Sequence, residues 1–308
     1  MNKALVFGGN GFLGSFVVKE LCERDFEVLV ISHSDNGFEE LKTFGFPGQV
    51  AIKKLDVNDV SLFNVINFKP FNVIINLIGI GAERDKNSYH GIHIEFASRL
   101  ASVALKGDKT FIHVSAFTGS DASSSKYINT KRAGEKAVLR SNPKSIIIRP
   151  SVMIGERGAF IQTFETMINN LPFIPVALGS NIKIQPVFAG DVAKFIVLAT
   201  ERTDMEGKAF NLAGEEVVLF KDFIQRICGF MNKKRSFLPV PFFAILFGLK
   251  IKEFLPSFIF RTKLTADIFA LSKTEMLVKK NDIKLLVPNP KKIDEVLGEV
   301  LSKYKLYD

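Results

Sequence analysis

The chain has 308 residues, 47% of them apolar and 24% charged, with a formal net charge of +9. That length holds one large domain or a domain and a half, and the composition excludes collagen-like, low-complexity and disordered classes. Cys22 and Cys228 lie far apart without a nearby histidine, so no zinc site, no other metal cluster and no disulfide framework is expected, and a reducing compartment fits. The positive charge leaves three kinds of partner open: nucleic acid, an anionic membrane surface or an acidic small ligand. No secretory or Arg-rich amphipathic segment precedes the strand pattern that begins at Lys3, so the expectation is a protein that is not exported. No apolar run reaches the roughly 18 residues of a spanning helix.

A short buried strand is predicted over residues 4–7, followed by three glycines and a helix with Phe16, Val17 and Leu21 on one face. Further apolar strands read at residues 26–32, 50–57 and 71–79. A helix over about 92–105 leads to a strand at 110–116, and a helix over about 127–140 stops at Asn142 and Pro143 before "SIIIRPS". Continuous Val/Ile/Leu strands alternating with helices predict an α/β fold, a Rossmann-type doubly wound parallel sheet covered on both faces. Past Pro150 the rhythm changes, with one more strand and helix in 181–200 and prolines at 239, 241 and 256. The expected division is therefore a dinucleotide-binding domain over 1–150 and a smaller C-terminal α/β region over 151–308, some of whose segments return to the sheet.

Gly8, Gly11 and Gly14 form G-x-x-G-x-x-G where the first strand meets the first helix. The first permits the tight turn, the second lets a pyrophosphate approach the backbone, and the third lets helix pack closely on strand. The helix N-terminus then offers free N–H groups to phosphates. The end of the second strand should identify the dinucleotide, by an acid for the ribose hydroxyls of NAD or an arginine for the 2′-phosphate of NADP. It reads Ser32, His33, Ser34, Asp35, which is neither; Ser32 and His33 can donate to a phosphate. Asp56 and Val57 suit the adenine edge, and Leu77, Ile78 and Gly79 the ribose side.

"SSSKYINTKRAGEKAV" places Tyr127 and Lys131 four apart, on one face of a helix. An adjacent ammonium favours phenolate, so Lys131 is expected to lower the pKa of Tyr127 for acid–base work. Residues 233–263 carry seven basic side chains against Glu253 around a Phe/Leu/Ile run too short to span a bilayer. Such a segment suits an anionic membrane interface or a groove of a membrane protein. No nucleic-acid motif accompanies the charge, so nucleic acid is not the expected partner.

With "VFGGNGFLG", "INLIG", "FIHVSA", the Tyr/Lys segment, "IIRPSVMIGERGAFIQTF", "QPVFAGDVAKFI" and "LPVPFF" in view, the chain resembles the extended and atypical short-chain dehydrogenase/reductases. More narrowly it resembles the nucleotide-binding accessory subunits of respiratory complex I. The resemblance implies a bound NAD(P), with NADP(H) favoured over NAD(H), held by Gly8, Asn10, Gly11, Phe12, Leu13 and Gly14. Ser32, His33, Asp56, Val57, Leu77, Ile78, Gly79, Tyr127, Lys131, Pro150, Ser151 and Val152 complete the implied cofactor set. It places the hydroxyl of the reductase triad at Ala116, one residue after Ser115, so Ser115 joins Tyr127 and Lys131 as the catalytic candidates, with Thr118, Ser123 or Ser124 as substitutes. It further implies complex I core subunits as partners, and peripheral attachment on the cytoplasmic or matrix side of a membrane. A free-standing NADPH-dependent reductase or epimerase using Tyr127 and Lys131, and a redox-sensing binding module, are the alternatives.

Overall fold

The computed structural model describes residues 2–59, 61–83, 87–119, 125–177, 182–241, 243–244, 277–302 and 304. Its first half runs β1 (Lys3–Phe7), α1 (Phe12–Glu23), β2 (Glu27–Ser32), α2 (Phe38–Lys42), β3 (Val50–Lys54), α3 (Leu62–Val65) and β4 (Val73–Asn76). A π-helical turn (His90–Phe96) then leads into α4 (Ala97–Lys106), β5 (Thr110–Val114), α5 (Lys126–Ser141) and β6 (Ile146–Pro150). The second half holds β7 (Met153–Ile154), α6 (Ala159–Asn170), β8 (Phe173–Ala177), β9 (Lys183–Ile184), β10 (Val187–Phe188) and α7 (Ala189–Ala199). It closes with β11 (Ala209–Leu212), β12 (Val218–Leu219), α8 (Phe220–Phe230), β13 (Ser236–Val240) and α9 (Ile293–Val300).

Seven strands form one parallel sheet in the order β11-β6-β5-β4-β1-β2-β3. The order reverses between β1 and β4, which opens a crevice at their C-terminal ends, the place where open α/β sheets bind ligands. Alternate residues of each strand face opposite layers. Ala4, Val6, Val28, Val30 and Ile75 pack with α1 and α7 on one side, whereas Leu5, Phe7, Ile31 and Ile74 pack with α3 and α4 on the other. Residues beyond 150 thus complete the sheet through β11 and cover it through α7. A separate core of Ile161, Phe164, Phe223, Ile227, Val296 and Leu297 joins α6, α8 and α9.

Strand β4 ends at Asn76, inside the apolar run that predicts a strand to Gly79. Leu77 still donates its N–H to Phe7 O at 3.0 Å, and the chain then leaves the ladder as a loop over the crevice.

The glycine turn is built by contact. Gly8 has φ +80, and a Cβ on Gly14 would stand 2.2 Å from Gly8 O and 2.6 Å from Gly9 C, so α1 meets the turn backbone to backbone. Gly14→Ala must push helix and turn apart and should destabilise the fold by about 1–3 kcal/mol, the usual range for overpacking. Urea denaturation measures this, and an unchanged midpoint would show that the contact is not tight.

Candidate functional site

The glycine turn ends in an uncapped helix. Gly11, the N-cap of α1, has extended backbone and no side-chain cap, and no acidic residue lies in the first turn, so the N–H groups of Phe12, Leu13 and Gly14 point into the crevice unneutralised. The Asn10 side chain is tied to the loop after β2. Its Nδ2 donates to Ser34 O at 3.2 Å and Asn36 O at 3.1 Å, fastening the turn to the loop after β2. Ser32 is buried, and its Oγ donates to Ser34 O at 3.1 Å, so this hydroxyl shapes the same loop. His33 is exposed, and Asp35 is paired with Lys54 Nζ at 2.6 Å. Asp56 is exposed and accepts from Asn58 N at 2.9 Å, while Val57 packs against the core.

At the other end of the crevice the polar centre is buried. Lys131 on α5 is 5% exposed, and its Nζ donates to Val114 O at 3.3 Å. Burial pulls its pKa down to about 8, against the opposing pull of Glu135 one turn further along. Glu135 in turn binds Arg149 of β6 through Nε at 2.9 Å and Nη2 at 2.5 Å. Gly79 lies directly over the amine, because a Cβ there would stand 3.1 Å from Nζ. Asn76 and His113 are register partners on β4 and β5, joined Nδ2 to Nδ1 at 3.1 Å, and Asn76 Oδ1 accepts from Ile78 N at 3.1 Å.

His93, in the π-helical turn, links two parts of the site. Its Nε2 accepts from Ile80 N at 3.2 Å, which puts the ring proton on Nδ1, 3.1 Å from Thr130 Oγ1. The imidazole stacks on Tyr89 at 5.3 Å and meets Tyr127 edge-on at 5.7 Å. A π turn at a functional site is a recurrent device, since the extra residue re-aims a side chain that regular helix would turn away.

The expected activation of Tyr127 is not what the surroundings produce. Burial pushes the phenol up to about 12, and the Lys131 ammonium does not offset it, so spacing on one helix face does not by itself lower the pKa. Ser115 is buried, with its N–H on Ile148 O at 2.8 Å, and its Oγ has no hydrogen-bond partner among the described residues. Ser151, after the neighbouring strand β6, has the same orphaned Oγ, and Pro150 and Val152 flank it. Thr118 is occupied: Arg132 Nε donates to its Oγ1 at 3.0 Å. Ser123 and Ser124 lie outside the described residues. Sequence reading gave no site role to His93, His113 or Asn76. Glu135 was findable, four residues after Lys131 and hence on its face.

Both buried histidines are held neutral, with pKa values near 3 against an ordinary 6.5, by burial first and the Lys131 charge second. The unfolded chain takes up these protons near pH 6.5 and the folded chain only near pH 3, so their contribution to stability is complete above about pH 6.5 and is lost as pH falls toward 3. Each histidine should give the unfolding free energy a slope of about 1.4 kcal/mol per pH unit in that window. Denaturant titrations at a series of pH values check this: His93→Asn should reduce the slope by about one proton's worth, and an unaltered slope would mean that His93 does not carry it.

Residues 4–213 match the NAD dependent epimerase/dehydratase family. The chain is 33% identical over 226 residues to the mitochondrial NADH dehydrogenase (ubiquinone) 1 alpha subcomplex subunit 9 of Dictyostelium discoideum, covering 73% of this chain and 62% of that one. It is 34% identical over 241 residues to the subunit of the same name from Mus musculus, covering 77% and 63%. The chain thus spans less than two thirds of the length of these curated relatives. Its fold superposes on dTDP-glucose 4,6-dehydratase from Bacillus anthracis, solved in complex with NAD, with a TM-score of 0.74 at 15% identity over 100% of this chain and 98% of that one. With more than half its length in the family match and a parallel sheet of that architecture, the chain belongs to the NAD dependent epimerase/dehydratase family and is a nicotinamide-nucleotide-binding Rossmann protein.

Proposed function

We propose that the chain is an accessory subunit of the complex I type. In this reading it holds NADP(H) in preference to NAD(H) as a structural or regulatory group and docks on core subunits at the matrix-side or cytoplasmic face of the membrane. The observation that carries this is the 33–34% identity to alpha subcomplex subunit 9 of two distant organisms over about three quarters of the chain. The residues present fit a dinucleotide. The contact of α1 with the turn leaves the N–H groups of Phe12 to Gly14 open, and the hydroxyls of Ser115 and Ser151 are buried at the C-terminal ends of adjacent strands without a protein partner. When bound, the nicotinamide ring supplies a site for hydride.

The chain's own groups can hold a dinucleotide. Tyr127 keeps its proton at neutral pH and is a donor, Lys131 presents a charge to a ribose, and His93 fixes the Ile80 loop against α5. The end of β2 carries neither the acid of NAD(H) selection nor the arginine of NADP(H) selection, so it favours neither form by itself. Among the described residues no helix is long and apolar enough to cross a membrane. Of the basic segment 233–263, residue 242 and residues 245–263 lie outside the described residues. Its described part exposes Leu238 and Phe243, and Phe173 of the paired strand β8 is exposed as well, which supports peripheral docking.

Membranes of the source organism solubilised in mild detergent and separated on a native gel test the assignment. The chain should comigrate with a core complex I subunit; clean separation of the two would refute membership.

The second reading, a free-standing reductase or epimerase, is favoured by the orphaned Ser115 hydroxyl at the strand end beside the Tyr127 and Lys131 helix. It expects Tyr127→Phe to abolish NADPH-dependent turnover of a carbonyl substrate while dinucleotide binding, followed by nicotinamide fluorescence, stays within about twofold of wild type, because one hydroxyl contributes only modestly to binding. Undiminished turnover in the variant would eliminate this reading.

A further inference from the structure

The end of β2 serves neither dinucleotide on its own, since it offers no acid for a ribose diol and no arginine for a 2′-phosphate. The fold brings a guanidinium there from 117 residues away. Arg157 lies between β7 and α6 with φ +64, a left-handed conformation that a non-glycine residue holds only where its surroundings impose it. They do so by packing on the first residue of α1. A Cβ on Gly155 would stand 3.3 Å from Phe12 Cε2, and one on Gly158 would stand 3.0 Å from Phe12 Cζ. The loop therefore crosses the start of the phosphate-facing helix, and its arginine reaches the loop after β2. Nη2 lies 3.0 Å from where a Gly37 Cβ would stand, and Nη1 donates to Glu40 Oε2 at 2.5 Å.

Three pieces thus meet in one corner: the glycine turn, the loop after β2 fastened to it by Asn10, and the guanidinium of Arg157. Glu40 takes one donor of the five that a guanidinium carries, which leaves four without another acceptor among the described residues, with Nη2 against Gly37. The Arg157 and Glu40 side chains are 36% and 49% exposed, so one anion can replace another here without stranding a buried charge. A phosphate, unlike this one-pronged carboxylate contact, engages the guanidinium fork through two parallel bonds.

The geometry points to Arg157 as the residue that reads the 2′-phosphate of NADP(H), from across the crevice and in place of an arginine after β2. This rests on the dinucleotide reading above and adds the residue that selects between the two forms. Gly37 has a part in it: at φ +78 and with the guanidinium at contact distance, it leaves the arginine room that a side chain would take.

The test titrates the full chain with NADPH and with NADH, followed by nicotinamide fluorescence, for wild type, Arg157→Ala and Arg157→Gly. Glycine suits the left-handed backbone and controls for strain. Both variants should weaken NADPH by ~10- to 100-fold, the range for loss of charge-assisted hydrogen bonds, while NADH affinity changes by less than about twofold, which also reports an intact fold. In wild type, 2′,5′-ADP should displace NADPH and 5′-AMP should do so far less well. An NADPH-to-NADH ratio that is the same in wild type and variants overturns the inference alone, whether both affinities stay or both fall. Failure of wild type to bind either dinucleotide overturns the cofactor reading and this inference with it.

Discussion

One buried ammonium sets the terms for everything around the crevice. Lys131 is almost out of solvent and has a backbone carbonyl, not a carboxylate, as its hydrogen-bond acceptor. A bare charge there would be intolerable, so its neighbours share the task of accommodating it. Glu135 lies one helical turn away and favours the charged form, and Arg149 grips that carboxylate with two nitrogens so that it too is paired. The two histidines within its reach stay neutral, by burial first and by the lysine's charge second. Neutral rings can accept hydrogen bonds, and His93 uses that capacity to hold Ile80. The loop over the site is thus held by a ring whose neutrality comes from burial, with the lysine's charge as the second cause.

Burial, and not that charge, decides what Tyr127 is suited to do. An ammonium lowers a phenol's pKa only where Coulomb attraction exceeds the loss of hydration on burying the phenolate. Here burial wins, and the phenol rises to about 12. A tyrosine in that state is a firm donor and a poor base. Donors at fixed positions, a buried cation, two orphaned hydroxyls and an open helix N-terminus together describe a cradle that holds a large polar molecule in one pose. A protonated phenol in that place can hold such a molecule or give its proton to a carbonyl oxygen.

What the sequence made legible was local. The strand, glycine turn and helix of residues 3–23 are contiguous, and their steric logic is carried by Gly8 and Gly14 themselves. The Tyr127 and Lys131 pair follows from helical period alone. Hydropathy overran β4, because Leu77 and Ile78 stay apolar after the ladder has ended, and apolarity does not report where hydrogen bonding stops. The Asn76 and His113 pair depends on register between strands whose members lie 37 residues apart, and the Arg157 and Glu40 contact spans 117. No spacing rule reaches such distances. The pKa of Tyr127 escaped for a related reason: helix period gives the neighbour but not the depth of burial.

Charge is arranged differently at the two ends of the molecule's task. Around the loop after β2 the basic groups are matched, Lys54 by Asp35 and Arg157 by Glu40, so the crevice meets phosphates with backbone N–H groups and exchangeable pairs, not with a broad positive field. The unmatched positive charge lies elsewhere, with seven basic residues and one acidic residue in 233–263. Two of these are already committed to the fold, since Lys233 Nζ donates to Asn169 Oδ1 at 2.7 Å and Arg235 Nε to Ile168 O at 2.9 Å, which pins the start of β13 to α6. A protein whose net charge served its dinucleotide would concentrate that charge at the crevice. Here the described basic residues with printed contacts, Lys233 and Arg235, are bound to the C-terminal end of α6, which belongs to the core of α6, α8 and α9 and not to the one around the glycine turn.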